Sequence, residues 1–270
     1  MIEIRDKRDG RVLHRAEGTT LAGADLNGLL APYADLKGMD LRGAKLRRAD
    51  LGSACLDGTC LAGADLSGAD IAGSSALGAD FRRAILADTR AQGVQLVGAD
   101  FSQAFAGHAG FQFANLTAAK GHSADFRRAD LHQALLERAA FAGADFTDAT
   151  LRHSVVRGAD LSNGVLSGTN LTGCDLRGAN LTDAELTLAT LHGAELAGAD
   201  LAGAILNRTI LAGCRGLNEA KGLDACVHAG GSSLDLATLR AAIGALPDRF
   251  LEGVGMAPRE VAAIRAAFAV

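Results

Sequence analysis

Between residues 21 and 211 an aspartate stands immediately before a large apolar residue fourteen times, as in Asp25-Leu26, Asp65-Leu66, Asp80-Phe81, Asp100-Phe101, Asp125-Phe126 and Asp145-Phe146. Carboxylates at so regular a spacing invite an acid/base reading, in which one group gives a proton and a neighbour takes it. That chemistry needs a cleft to set one carboxyl apart from the other, and nothing in the spacing implies one. A solvated position recurring in a repeat accounts for all of them. His132, His153 and His192 have spacings that set them on one face of such a repeat. Two neighbouring imidazoles without a third ligand do not make a zinc site. The five cysteines, Cys55, Cys60, Cys174, Cys214 and Cys226, lack C-x-x-C spacing and read as reduced thiols of a reducing compartment. Phosphate loops and nucleophile elbows are absent. The sequence therefore offers no catalytic residue, no metal site and no cofactor, and a non-enzyme is expected.

The elements that carry these residues follow from a five-residue period. Of the 39 positions at that spacing from Leu21 to Leu211, Leu fills 26, Phe fills 6, and Ile71 and Val156 add two. Only Ala31, Ala76, Ala91, Ala106 and Gly121 depart. Two residues before each of these centres Ala occurs 27 times, and only Leu29, Met39 and Val94 are large there. Helices repeat every 3.6 residues and strands every two, so the chain must bend once per repeat. Gly holds 20 of the 39 positions two residues after a centre, the place where a type II turn requires positive φ. Arg48, Arg83, Asp88, Arg128 and Asp148 hold that place too, and type I or irregular turns are expected there.

Tandem runs such as GADLSGAD, GANLTDAEL and GAELAGADLAGA resemble the pentapeptide-repeat family over residues 21–215. The resemblance implies an all-β solenoid, a right-handed quadrilateral β-helix with four pentads per coil. The centre and the small residue two before it would point inward, and the other three outward. Residues 20 apart would stack, which places Phe111 by Ala91, Phe126 by Ala106, and Phe101 and Phe141 on either side of Gly121. Small centres beside large rings conserve core volume. Cys174 and Cys214 would share a column two coils apart, too far for a disulfide. Nearly ten coils at roughly 4.8 Å per layer give a rod about 45 Å long.

A solenoid leaves unpaired backbone at its ends and needs caps. Residues 1–20 are expected to form an N-terminal β-hairpin cap turning at Asp9-Gly10, and residues 216–270 a C-terminal helical cap or dimerisation tail. Ser233 is the expected N-cap of the first tail helix, and Pro247 and Pro258 the first residues of the next two. Val261, Ile264 and Phe268 would share a face. The tail resembles that of a bacterial subset in which a TIR-like signalling domain can follow. This chain ends at Val270, so signalling in cis is not expected. A charged start without an apolar core and the lack of any apolar run of membrane length point to a cytoplasmic protein with no membrane contact.

Two functions are compatible with such a rod. One is a protein-interaction scaffold of unidentified partner, using Leu77 and Val97, Ile85 and Phe105, Leu135 and Val155, and Phe113, with Tyr33 as a further exposed ring and homodimerisation through the tail. The alternative is implied by the resemblance: mimicry of DNA that binds DNA gyrase or topoisomerase and protects it from inhibitors. That role needs a dense negative field and no nucleic acid of its own. The outward charges from residue 20 to 213 are 21 acidic and 16 basic, with each face netting only −1 or −2. Asp80, Asp100 and the pairs Arg82/Arg83 and Arg127/Arg128 mark the charged surface. This balance favours the scaffold.

Overall fold

The structure, a computed structural model, describes residues 1–268. Its body is a four-sided coil in which each wall residue pairs in parallel with the residue 20 positions on, from Asp25↔Lys45 to Glu195↔Arg215. The pentad 80–84 shows why the chain adopts it. Asp80 donates its N–H down to the Thr59 carbonyl, and Phe81 donates up to Asp100. Arg83 also donates up, to Ser102, while Ala84 closes the turn onto Phe81. The fifth N–H, of Arg82, goes to Oδ1 of Asp80 at 3.0 Å. Every backbone donor is satisfied within one pentad, as a buried wall requires. Extended stretches are reduced to single bridged residues, so the walls are shorter than the sequence reading implied.

All 39 corner positions have positive φ, glycine or not. Arg48, Arg83, Asp88, Arg128 and Asp148 lie at φ 55 to 58, which corrects the expectation of a different turn there. The inter-coil bond from the corner N–H fixes the turn, and the residue accepts the left-handed conformation at about 1–2 kcal/mol. Leu188, at φ 59, is the bulkiest aliphatic residue so held.

Inside, centres and preceding small residues are buried along the full length. Phe81, Phe101, Phe111, Phe126, Phe141 and Phe146 form one run of ring contacts, with centroids 4.9 to 6.1 Å apart. A Cβ built on Gly121 would overlap two carbons of the Phe141 ring. The weak centres of residues 76–121 therefore do not loosen the coil, whose bridges run through them unbroken. Where Ser, Thr or Cys replaces the inward Ala, its Oγ or Sγ bonds a centre carbonyl, as Thr59 does to Leu36 and Cys174 to Leu151.

At the N-terminal end β1 (Ile2–Asp6) and β2 (Val12–Ala16) form an antiparallel hairpin, and β1 pairs with β3 (Ala34–Asp35) on the first coil. Ile4 is buried in the same core as the coil centres. Asp6 accepts from the backbone and side chain of Arg8, which holds its carboxyl down to about 2. At the other end bridging continues past Arg215 in a widened coil: Asp200 pairs with Lys221 and Ile210 with Ser233. β4 (Ile205–Asn207) pairs with β5 (Val227–Gly230) in the same coil. Three helices lie over it, α1 (Leu236–Ala242), α2 (Asp248–Gly253) and α3 (Pro258–Phe268).

The N-cap of α1 is Asp235, not Ser233, whose backbone is engaged in the wall. Asp235 accepts from Thr238 N and also from Gly213 N, so one carboxylate caps the helix and finishes the last corner. Pro258 begins α3 as expected, whereas Pro247 is the N-cap of α2 rather than its first residue. On α3, Val261 is buried but Phe268 is exposed. Arg265 fastens this helix by donating to the carbonyls of Ile243 and Leu246 and to Asp248.

Candidate interaction surface

Each coil visits four walls in turn, named here by their bridged residues: A (Asp80, Asp100), B (Ile85, Phe105), C (Asp70, Arg90) and D (Leu135, Val155). The fourteen aspartates all occupy these bridged positions. Every one accepts a hydrogen bond from the backbone N–H two residues on, and Asn115, Asn170 and Asn180 do the same. The recurring carboxylate is thus an Asx cap on the corner. Sequence reasoning placed it in solvent and missed this bond, although the recurrence of Asp, joined by Asn at three of these positions, was the available signal.

Several of these carboxylates are also neutralised locally. Arg42, Arg82, Arg127 and Arg177 each fold back in a two-point contact onto the aspartate two residues before. The arginine contact holds Asp80 and Asp125 below the usual carboxylate range, and Asp40 and Asp175 down to about 2. Of the arginine pairs, Arg82 and Arg127 are therefore tied to aspartate. Arg83 donates to Gln103, and Arg128 lies 3.6 Å from Asp148. Asp100 spends one oxygen on Ser102 N. Of the charged residues singled out from sequence, Asp80, Arg82, Arg127 and Arg128 stand in short ion pairs, whereas Arg83 and Asp100 are engaged by uncharged partners.

The apolar candidates divide between two opposite walls. Ile85 and Phe105 stack on B. Leu135 and Val155 stack on D, Leu77 and Val97 stack at the corner between D and A, and Phe113 stands at the corner between C and D. Phe113 is 58% exposed and Leu135 41%. The Phe113 ring meets His132 edge-on at 6.0 Å, and His132 meets His153 at 5.9 Å, so the two histidines extend the aromatic run along that corner. His192 lies beyond it, near Asp235. Among the described residues no three metal-ligating side chains gather. Tyr33 is not a free ring, since the Arg8 guanidinium covers it at 3.5 Å. Leu30, Leu188, Val227 and Leu236, not singled out from sequence, are also exposed.

Cys174, Cys214 and Cys226 are buried, and burial pushes their thiols up to about 11, 12 and 12. Such thiols are poor nucleophiles at neutral pH. Open grooves run at the corners, as beside Arg82, Arg83 and Gln103. No described helix is long and apolar enough to cross a membrane.

Residues 21–63, 64–103, 124–163, 157–193 and 165–201 match the family described as pentapeptide repeats, in eight copies. Among solved structures, HetL, a pentapeptide repeat protein involved in heterocyst differentiation regulation from the cyanobacterium Nostoc sp. strain PCC 7120, is 32% identical with a TM-score of 0.73. That match covers 76% of this chain and 92% of HetL. Full-length QnrB1, a plasmid-mediated fluoroquinolone resistance protein, is 22% identical with a TM-score of 0.48, covering 73% of this chain and 97% of QnrB1. No curated protein matches.

Proposed function

The chain belongs to the pentapeptide-repeat family of right-handed quadrilateral β-helices, and on that premise we propose that it is a non-enzymatic scaffold that binds a protein partner through wall D and its corners. One observation carries the reading: Leu77, Val97, Phe113, Leu135 and Val155 all lie on this one side of a rod whose core is already full. Apolar side chains that add nothing to the core and sit together on a surface mark a contact site. HetL is involved in regulation, and regulation by non-covalent contact is what a rigid rod of this kind can offer. The three tail helices act as a lid in this reading, because they turn Leu239, Ile243, Leu246, Phe250 and Leu251 inward. Mimicry of DNA toward gyrase or topoisomerase is the weaker reading, since the arginines that fold onto Asp40, Asp80, Asp125 and Asp175 break up the negative field it requires.

The test is capture of a partner by the tagged protein and by Phe113→Ser/Leu135→Ser, with Phe105→Ser on the opposite wall as control. The double variant should keep its circular dichroism and lose the partner, while the control keeps it. Loss by the control alone would move the site to wall B, and retention by all three would remove the proposal.

A further inference from the structure

The charges around wall D differ from those of the whole chain, whose net charge is −4. Along the stretch that carries Phe113, Leu135 and Val155, Arg152 stands on one corner, with Arg138 and Arg157 on the other. Glu137 is the one carboxylate among the side chains of this wall and its corners between residues 112 and 158. Arg157 is held by Asp175 in the next coil at 2.5 Å. Arg138 and Arg152 are exposed and have no ion-pair partner among the described residues, unlike Arg42, Arg82, Arg127 and Arg177. The netting of charge over a full face conceals this, because Asp35, Asp57, Asp175 and Glu195 at the two ends of the same face offset it. His132 and His153 add two nitrogen-bearing rings to the Arg152 corner.

We propose that wall D binds an acidic, apolar-centred segment of another protein, lying across the wall with its hydrophobic residues on Leu135, Val155 and Phe113 and its carboxylates on Arg138 and Arg152. The inference rests on the scaffold reading and names the chemistry of its partner. The support is complementarity: apolar groups occupy the middle, unpaired guanidinium groups stand on both edges, and these edges are where an interface rim places its polar contacts. Guanidinium forks favour carboxylates through two-point hydrogen bonds. A nucleic acid would find few cations here and no use for the apolar centre. A second copy of this chain would have to present a comparable acidic and apolar strip.

The probe is a fluorescein-labelled peptide of sequence Glu-Glu-Leu-Phe-Leu-Glu-Glu, followed by anisotropy against the full chain. The same peptide with Lys for Glu, the same peptide with Ser for Leu and Phe, and a short DNA duplex serve as comparators. The acidic apolar peptide should bind, weaken as salt is raised, and lose at least about tenfold in affinity with Arg138→Glu/Arg152→Glu, whereas the comparators should not bind. The proposal is overturned if the lysine peptide binds equally, if the serine peptide or the DNA binds as tightly, if no probe binds, or if the double charge reversal leaves affinity unchanged. Running the charge-reversed variant through partner capture separates the two readings. Loss of the partner with Phe113→Ser/Leu135→Ser but not with the charge reversal would leave the scaffold standing and remove its acidic partner.

Discussion

Gly121 and Phe141 provide the sharpest test of how this rod tolerates an imperfect repeat. Gly121 replaces a large centre, and the Phe141 ring from the coil above fills the vacated space. A methyl group on Gly121 would overlap Cδ1 and Cε1 of that ring and lie 3.2 Å from Cζ. The ring cannot retreat freely, because it packs at 5.4 Å against Phe126 and 5.7 Å against Phe146. Overpacking of this kind costs about 1–3 kcal/mol. The backbone at Gly121 is not left-handed, so alanine there also gains about 0.4–1 kcal/mol by restricting the unfolded chain. The net expectation for Gly121→Ala is a loss of about 1–2 kcal/mol. Phe141→Ala alone should cost about 3–5 kcal/mol through the cavity it leaves. In that background the added methyl enters empty space, so its penalty should vanish and its backbone benefit remain. Urea unfolding followed by circular dichroism for the four proteins gives the coupling, expected at about 2 kcal/mol. Additivity within about 0.5 kcal/mol would refute volume exchange between these two positions.

Two further outcomes follow from groups whose roles emerged only in three dimensions. Asp100→Ala should cost about 0.5–1.5 kcal/mol because Ser102 N loses its acceptor, while Asp100→Asn should stay within about 0.5 kcal/mol. Equal damage in urea unfolding would mean that charge, not the cap, matters there. His228 on β5 packs edge-on against Phe250 of α2 at 5.3 Å, and neither ring nitrogen has a hydrogen-bond partner among the described residues. Burial, aided by the nearby Arg249 charge, lowers its pKa. The neutral ring is therefore the form the folded state favours. Its contribution is complete above the ordinary imidazole value of about 6.5 and is lost as pH falls through the lower folded value. Proteolysis of the helical tail should accelerate on acidification below about pH 6.5, and His228→Leu should flatten that dependence; an unchanged profile would exclude His228 as its cause.

The period of five and the inward alternation of Leu with Ala are enough to establish the coil. Only a bend every fifth residue puts all the large centres inside. The stacking of Phe141 on Gly121 was legible for the same reason, since a strict 20-residue step converts sequence separation directly into contact. The corners were less legible. Propensity assigns left-handed φ to glycine, yet Arg83 and Leu188 adopt it because an inter-coil hydrogen bond outweighs the local strain. The role of Asp was hidden because its acceptor bond reaches a backbone N–H that any residue supplies. The candidate surface depended most on tertiary structure. The 20-residue step already pairs Ile85 with Phe105 and Leu135 with Val155, and the fold adds that the two pairs lie on opposite walls. The fold also ties Arg82 and Arg127 to aspartates while leaving Arg138 and Arg152 without an ion pair among the described residues. A repeat fixes which residues face outward. Which of them share a side, and which charges remain uncompensated, depends on the closure of four walls into a square and on contacts between neighbouring coils.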